Sequence, residues 1–209
     1  MKILAIMGSY RKGKTIDTLI DKKIEGAKAN NSEVEIEKIT LVDQNIEFCM
    51  GCMTCFKDDL SKEMAKCVIR DDMDSLNPKI LEADGFIFGT PVFMAHETAI
   101  MKQFLERICW IFAKPAQKRR KVVIPKDCPE PRSNQKKKAI IITSSGMIKP
   151  RWKKFCDDAT PLIKQTIGDS LNAKVIGTMY AGAIMKYGVE KYYNQAYELG
   201  KNLSSQLVC

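Results

Sequence analysis

The sequence predicts an α/β protein: a doubly wound, five-stranded parallel sheet with helices on both faces and strand order 2-1-3-4-5. Three observations carry that expectation. Apolar runs alternate with stretches of helical period along the chain, the pattern of a parallel sheet covered on both sides. Some runs are continuously apolar, as central strands are, while one alternates apolar with charged residues, as an edge strand does. A glycine-rich turn directly follows the first run, and in open α/β sheets the loops after the strand C-termini form the binding edge.

Each element has its own justification. The first strand is 2–7, KILAIM, and a helix over 15–29 follows the glycine turn. The second strand, 34–40, VEIEKIT, carries the edge alternation, and a cysteine loop spans 49–67. A helix over 72–83 opens behind DDMD, with Asp71 and Asp72 as its expected caps. The third strand, 85–90, GFIFGT, leads into a helix over 97–112 on which Ile100, Phe104, Ile108 and Phe112 form a core stripe. Met101 and Trp110 are candidates for a subunit contact. A fourth strand, 138–143, KAIIIT, a helix over about 152–171, a fifth strand, 174–181, KVIGTMYA, and a helix over 189–206 complete the pattern. With 209 residues, 45% of them hydrophobic, the chain suits one well-buried core better than two, so a single domain is expected.

The formal charge of +9 is concentrated in 114–138, a basic surface excursion with ten Lys/Arg, two Asp/Glu and four prolines. It reads as a solvated loop or as a docking face for something acidic: the phosphates of NADPH, an acidic electron carrier or nucleic acid. No aromatic residue interleaves its charges, which argues against single-stranded nucleic acid. No run reaches the roughly 18–20 apolar residues of a membrane span, and the first apolar stretch ends too soon for a secretory signal. The expected location is cytoplasmic, with no membrane partner. Eight cysteines in a reducing compartment point to metal or redox chemistry rather than a disulfide framework.

The turn GSYRKGKT, Gly8 to Thr15, satisfies the triphosphate-loop pattern. Backbone N–H groups at a helix start, two hydroxyls and three cations suit a phosphate of some kind. A triphosphate hydrolase also needs a carboxylate at the end of a buried neighbouring strand to hold Mg²⁺. The third and fourth strands end in FGTPVF and ITSSG, which have none, and Asp43 follows the edge strand. A P-loop NTPase is therefore the weaker alternative. The loop GTPVFMAHE offers a rigid turn and an aromatic for a planar ring, and TSSGM offers small residues for a ring edge. One phosphate with one flat ring describes a mononucleotide, and a flavin fits. His96 is either an acid close to the ring or a residue hydrogen-bonding its own loop, since hydride transfer to a flavin requires no protein acid.

Cys49, Cys52, Cys55 and Cys67 form C-x2-C-x2-C-x11-C. Three thiolates from one short turn and a fourth from a distance suit a [4Fe-4S] cluster; redox-active free thiols and a four-thiolate zinc site are the alternatives. Cys109, Cys128, Cys156 and Cys209 are scattered and have no assigned chemistry.

The segments GSYRKGKT, CMGCMTC, CVIRDDM, GFIFGTPVFMAHETAIMKQFLER and ITSSGM together resemble the NAD(P)H-dependent FMN reductase family of flavodoxin-like proteins, in particular its iron-sulfur flavoprotein branch. Beyond Met147 the likeness is one of pattern. The eleven residues before Cys67 are more than that branch's compact cysteine motif has. The resemblance implies that Ser9, Arg11, Lys14, Thr15, Ile16 and Asp17 surround an FMN phosphate. Pro91, Val92, Phe93 and Met94 would line the isoalloxazine, and Ser144, Ser145 and Gly146 would meet its other edge. It also implies an oxidoreductase taking electrons from NAD(P)H or ferredoxin, and a homodimer or homotetramer. A non-catalytic electron carrier is the alternative within the same fold.

Overall fold

The computed structural model describes residues 1–116 and 128–208. Chain order is β1 (Lys2–Met7), α1 (Thr15–Asn30), β2 (Glu35–Thr40), α2 (Thr54–Lys57), α3 (Met73–Glu82), β3 (Gly85–Pro91), α4 (Ala99–Phe112), β4 (Ala113–Pro115), β5 (Pro129–Pro131), β6 (Lys137–Ser144), α5 (Ala159–Leu171), β7 (Ala173–Ala181), α6 (Ile184–Tyr187) and α7 (Tyr193–Val208). The main sheet is parallel throughout in the order β2-β1-β3-β6-β7, the expected 2-1-3-4-5 with two short strands interposed in sequence.

Side chains alternate across the pleat and build two cores. Ile3, Ala5, Met7, Ile87, Ile140 and Ile142 face α1 and α7, while Leu4, Ile6, Phe86, Phe88, Ala139 and Ile141 face α3, α4 and α5. On the first face α7 lies directly on the α1 backbone: a Cβ at Gly200 would come within 2.9 Å of Lys23 Cα. That contact encloses Lys23 completely, and its Nζ has no hydrogen-bond partner among the described residues. Burial pushes the Lys23 ammonium down to about 7.

The structure corrects several expectations. The helix expected over 152–171 is two pieces, a 3-10 helix at Pro150–Phe155 and then α5. The break arises because the buried Asp157 carboxylate accepts Thr143 Oγ1 at 2.9 Å and Thr160 N at 3.0 Å, fixing the chain non-helically before α5. The end of the basic excursion is partly buried, with Asn134, Gln135 and Lys136 exposed between buried neighbours. β4 and β5 pair antiparallel, Arg132 is buried, and Lys137 is buried in β6 with Nζ donating to Leu81 O at 2.6 Å and to Ala83 O. Burial brings Lys137 down to about 8. Residues 117–127, the centre of that excursion, lie outside the described residues. Met101 and Trp110 pack within the chain: Met101 is fully buried, and Trp110 meets Phe56 edge to face at 4.9 Å. Among the described residues no helix is long and apolar enough to cross a membrane.

Candidate functional site

The sheet order reverses between β1 and β3, and the glycine turn leaves β1 at that point. Gly8 N donates to Gly89 O at 2.8 Å, and Gly8 O accepts Thr98 Oγ1 at 2.7 Å and Thr90 Oγ1 at 3.3 Å. A Cβ at Gly8 would meet Met101 at 2.7–2.8 Å, so only glycine lets the turn sit this close to α4. Farther round, Gly13 has φ +65°, and its N–H donates to Asp17 Oδ2 at 2.5 Å. The other side of the Asp17 carboxylate is held by Lys38 from β2. Burial alone would raise the Asp17 carboxyl, but bonds from Lys38 and Gly13 outweigh it and hold it below the usual range.

What remains open in this turn is cationic and donor-rich. No side chain caps α1 at Lys14. Arg11 and Lys14 are exposed and make no ion pair among the described residues, whereas Lys12 pairs with Asp43 at 2.5 Å. Ser9 is buried and its Oγ accepts Arg11 N at 3.2 Å. Thr15 is half-buried at the helix start. The Ile16 side chain is buried in the core against Gly89, which leaves its backbone for the turn, and Asp17 braces the loop from behind.

Loop β3–α4 rises beside this turn. Val92 N donates to Ser144 O at 2.8 Å, which ties the loop to the end of β6. Phe93 and His96 then exchange backbone bonds of 2.8 and 3.0 Å across a two-residue turn. Both turn residues, Met94 (φ +50°) and Ala95 (φ +71°), are left-handed without being glycine, a conformation that costs about 1 kcal/mol or more each. Ala95 O accepts Asp158 N at 2.7 Å, so the start of α5 holds the turn in place. Phe93 and Met94 are exposed, Pro91 and Val92 half-exposed. On the far side Ser145 N donates to Ala181 O, and Ile184 N and Met185 N return to Ser145 O and Gly146 O, so Ser144–Gly146 is zipped to the chain after β7.

The cysteine loop leaves β2, the neighbouring strand. Gly51 (φ +63°) and Met53 (φ +60°) curl CMGCMTC back on itself. Cys49 and Cys52 are exposed, while Cys55 and Cys67 pack against the core. A hydrogen bond with Thr54 holds the Cys52 thiol below its ordinary value. Burial pushes Cys55 up, and the sulfurs of Cys67, Cys49 and Cys52 add to the effect, so all four lie in one electrostatic neighbourhood. Among the described residues, no three His, Cys, Asp or Glu side chains converge on a single metal ion.

Both ends of this loop are clamped by side chains from distant elements. Asn45 N donates to Asp72 Oδ2 at 2.7 Å, and Glu47 N to Asp71 Oδ2 at 2.8 Å. Asp71, not Asp72, caps α3, accepting Met73 N at 3.0 Å. Arg107 of α4 is buried against Asp71, donates to Glu47 O at 2.7 Å and reaches Cys67 Sγ at 3.8 Å. Arg132 donates once from each of its three nitrogens, to Ala113 O, Asp59 O and Cys55 O at 2.8–2.9 Å. The sequence reading missed Thr90, Thr98, Arg107 and Arg132. Thr98 had a local signal, a threonine directly before the helical period; the arginines had none.

The model of the NADPH-dependent FMN reductase family matches residues 1–148, which contain every loop just described. The chain belongs to that family. Among curated relatives, an iron-sulfur flavoprotein of Archaeoglobus fulgidus is 37% identical over 108 residues, covering 52% of this chain and 46% of the relative. An iron-sulfur flavoprotein of Methanocaldococcus jannaschii is 38% identical over 108 residues, covering 51% of each. The chain spans about half the length of these curated relatives. Among solved structures, a flavone reductase superposes with TM-score 0.69 at 20% identity over 99% of this chain and 63% of the other. An FMN-dependent NADH-azoreductase of Bacillus anthracis in complex with FMN gives 0.67 at 12% identity over 100% of both chains. At these identities the structural likeness establishes the fold.

Proposed function

We propose that this chain is an FMN-dependent oxidoreductase that moves electrons between NAD(P)H, or a reduced carrier such as ferredoxin, and an acceptor, and that its cysteine loop holds a [4Fe-4S] cluster. The observation that carries the reading is the knot at the switch point, where Thr90 and Thr98 both bond Gly8 O. It fixes the glycine turn and the β3–α4 loop side by side, as a mononucleotide with its phosphate on one and its ring on the other requires.

The residues fit FMN. Uncapped N–H groups of α1 and the free cations Arg11 and Lys14 suit a terminal phosphate, Ser9 and Thr15 add hydroxyls, and Ile16 contributes through its backbone. Asp17 shapes the turn rather than touching the phosphate. Pro91, Val92, Phe93 and Met94 form one wall for the ring, and Ser144, Ser145 and Gly146 offer backbone to its other edge. When bound, the flavin supplies the hydride chemistry; the chain positions it and keeps the ring edge accessible. Asp43, the one carboxylate a nucleotide hydrolase could use, is engaged by Lys12.

The donor set also suits a cluster. Four thiols that influence one another electrostatically are the donor type a cubane takes, one thiolate to each iron. Exposed Phe48 and Met50 beside these cysteines support self-association as a homodimer or homotetramer.

Anaerobic purification followed by absorption spectroscopy, iron and sulfide analysis, and FMN titration tests the reading. Flavin bands with a broad shoulder that bleaches on reduction are expected, and Cys52→Ser should remove the shoulder while FMN stays bound. A protein that ignores FMN but holds ATP with magnesium would refute the proposal.

A further inference from the structure

The segment Lys149–Phe155, KPRWKKF, places four cations and two aromatics in seven residues, and it lies beyond the stretch matched by the family model. At its start, Tyr180 OH donates to Ile148 O at 3.5 Å, and Pro150 Cδ lies 3.1 Å from where a Cβ would stand on Gly182 after β7. At its end, Asp158 N is bonded to Ala95 O in the ring loop. The segment therefore crosses the C-terminal end of β6, bridging the two walls of the candidate flavin site.

Its side chains turn outward in an unusual way. Trp152 is 50% exposed and Phe155 63%, with ring centroids 6.1 Å apart. Arg151 lies 5.4 Å over the indole and Lys154 4.8 Å over the phenyl ring. Lys153 is drawn to buried Asp157 at 3.6 Å, but Arg151 and Lys154 have no carboxylate partner among the described residues. Flat apolar faces edged by uncompensated positive charge complement a ligand that is both aromatic and anionic.

We propose that Lys149–Phe155 binds the adenosine 2′-phosphate end of NADPH, with Trp152 and Phe155 offering ring faces to the adenine and Arg151, Lys154 and Lys149 binding the phosphate. The segment then sets preference for NADPH over NADH. This inference rests on the flavin reading, because it is the bound FMN that places the nicotinamide beside the ring loop.

The test uses the full-length FMN-loaded protein and the exposed double substitution Arg151→Gln, Lys154→Gln. KM for NADPH should rise about tenfold or more, with kcat and the KM for NADH changed by less than about twofold. In parallel, 2′,5′-ADP should quench Trp152 emission in a Trp110→Phe chain that keeps Arg151 and Lys154, and should fail to do so when the double substitution is added to that chain. Equal effects on both nicotinamides, no effect on either, no quenching by 2′,5′-ADP, or quenching by a short oligonucleotide instead would each overturn the inference. A chain that retains no FMN refutes the flavin reading, whereas the 2′,5′-ADP titration, which needs no flavin, reports on the segment alone.

Discussion

The glycine turn after β1 and the cysteine loop after β2 leave adjacent strands at the same sheet edge, yet they are held in different ways. The turn offers its own backbone to fixed partners: Gly8 N bonds Gly89 O of β3, Gly8 O accepts the hydroxyls of the two threonines flanking the ring loop, and Gly13 N bonds the Asp17 carboxylate four residues on. The cysteine loop has little backbone structure of its own beyond α2. It is closed by Asp71 and Asp72 at its base and by Arg107 and Arg132, which reach it across 40 to 77 positions of sequence. A short loop can be specified by local stereochemistry, whereas a long one needs buried cations from elsewhere to order it.

The largest expected break is Asp71→Ala. It strands the Arg107 guanidinium, whose side chain is 1% exposed, and a buried unpaired charge costs about 3–5 kcal/mol. Urea unfolding at neutral pH should show the loss while FMN binding to the refolded protein persists. Burial alone would raise the Asp71 carboxyl, but Arg107 and two backbone N–H groups hold it below the usual range. Its contribution is thus fully present above the unfolded-state pKa of about 4 and fades as pH falls through the lower folded value, so native and variant stabilities should converge in acid.

Next is Lys23→Met, which removes a fault beneath the glycine turn and should stabilise by about 1–4 kcal/mol. The folded pKa of about 7 lies below the ordinary 10.5, so the unfolded chain holds the extra proton between those values and native stability should climb with pH across that window. The variant should lack the climb; a parallel rise in both proteins would show that other groups cause it.

Arg132→Met should cost about 1–3 kcal/mol by orphaning three carbonyls, and it should accelerate Cys55 alkylation severalfold without altering FMN affinity. The smallest effect belongs to Lys12→Ala. The partners Lys12 and Asp43 are 59% and 46% exposed, so thermal stability should move by no more than about 1 kcal/mol. A larger loss would mean that the glycine turn also depends on side-chain pairing.

Legibility followed the same division. β1 was read to the residue and the other main-sheet strands to within one residue at either end, because period and apolarity are local properties. The glycine turn stood out as a contiguous motif, although the sequence could not show that Ile16 is buried in the core or that Asp17 bonds Gly13 N. The split before α5 escaped because it depends on Asp157 finding Thr143 on β6, a meeting no helical period encodes. The contact of Trp110 with Phe56 of the cysteine loop joins residues 54 positions apart, which no local period encodes.

The sequence by itself determined the sheet, its strand order, the phosphate turn and the presence of four clustered thiols, since each follows from neighbours a few residues apart. Only the tertiary structure decided which buried cations close the cysteine loop, which lysine is sealed without a partner among the described residues, and that KPRWKKF runs between the end of β7 and the β3–α4 loop. Those outcomes arise when chain segments far apart in sequence desolvate each other's polar groups, and a polar group taken out of water must find whatever partner the fold has brought beside it.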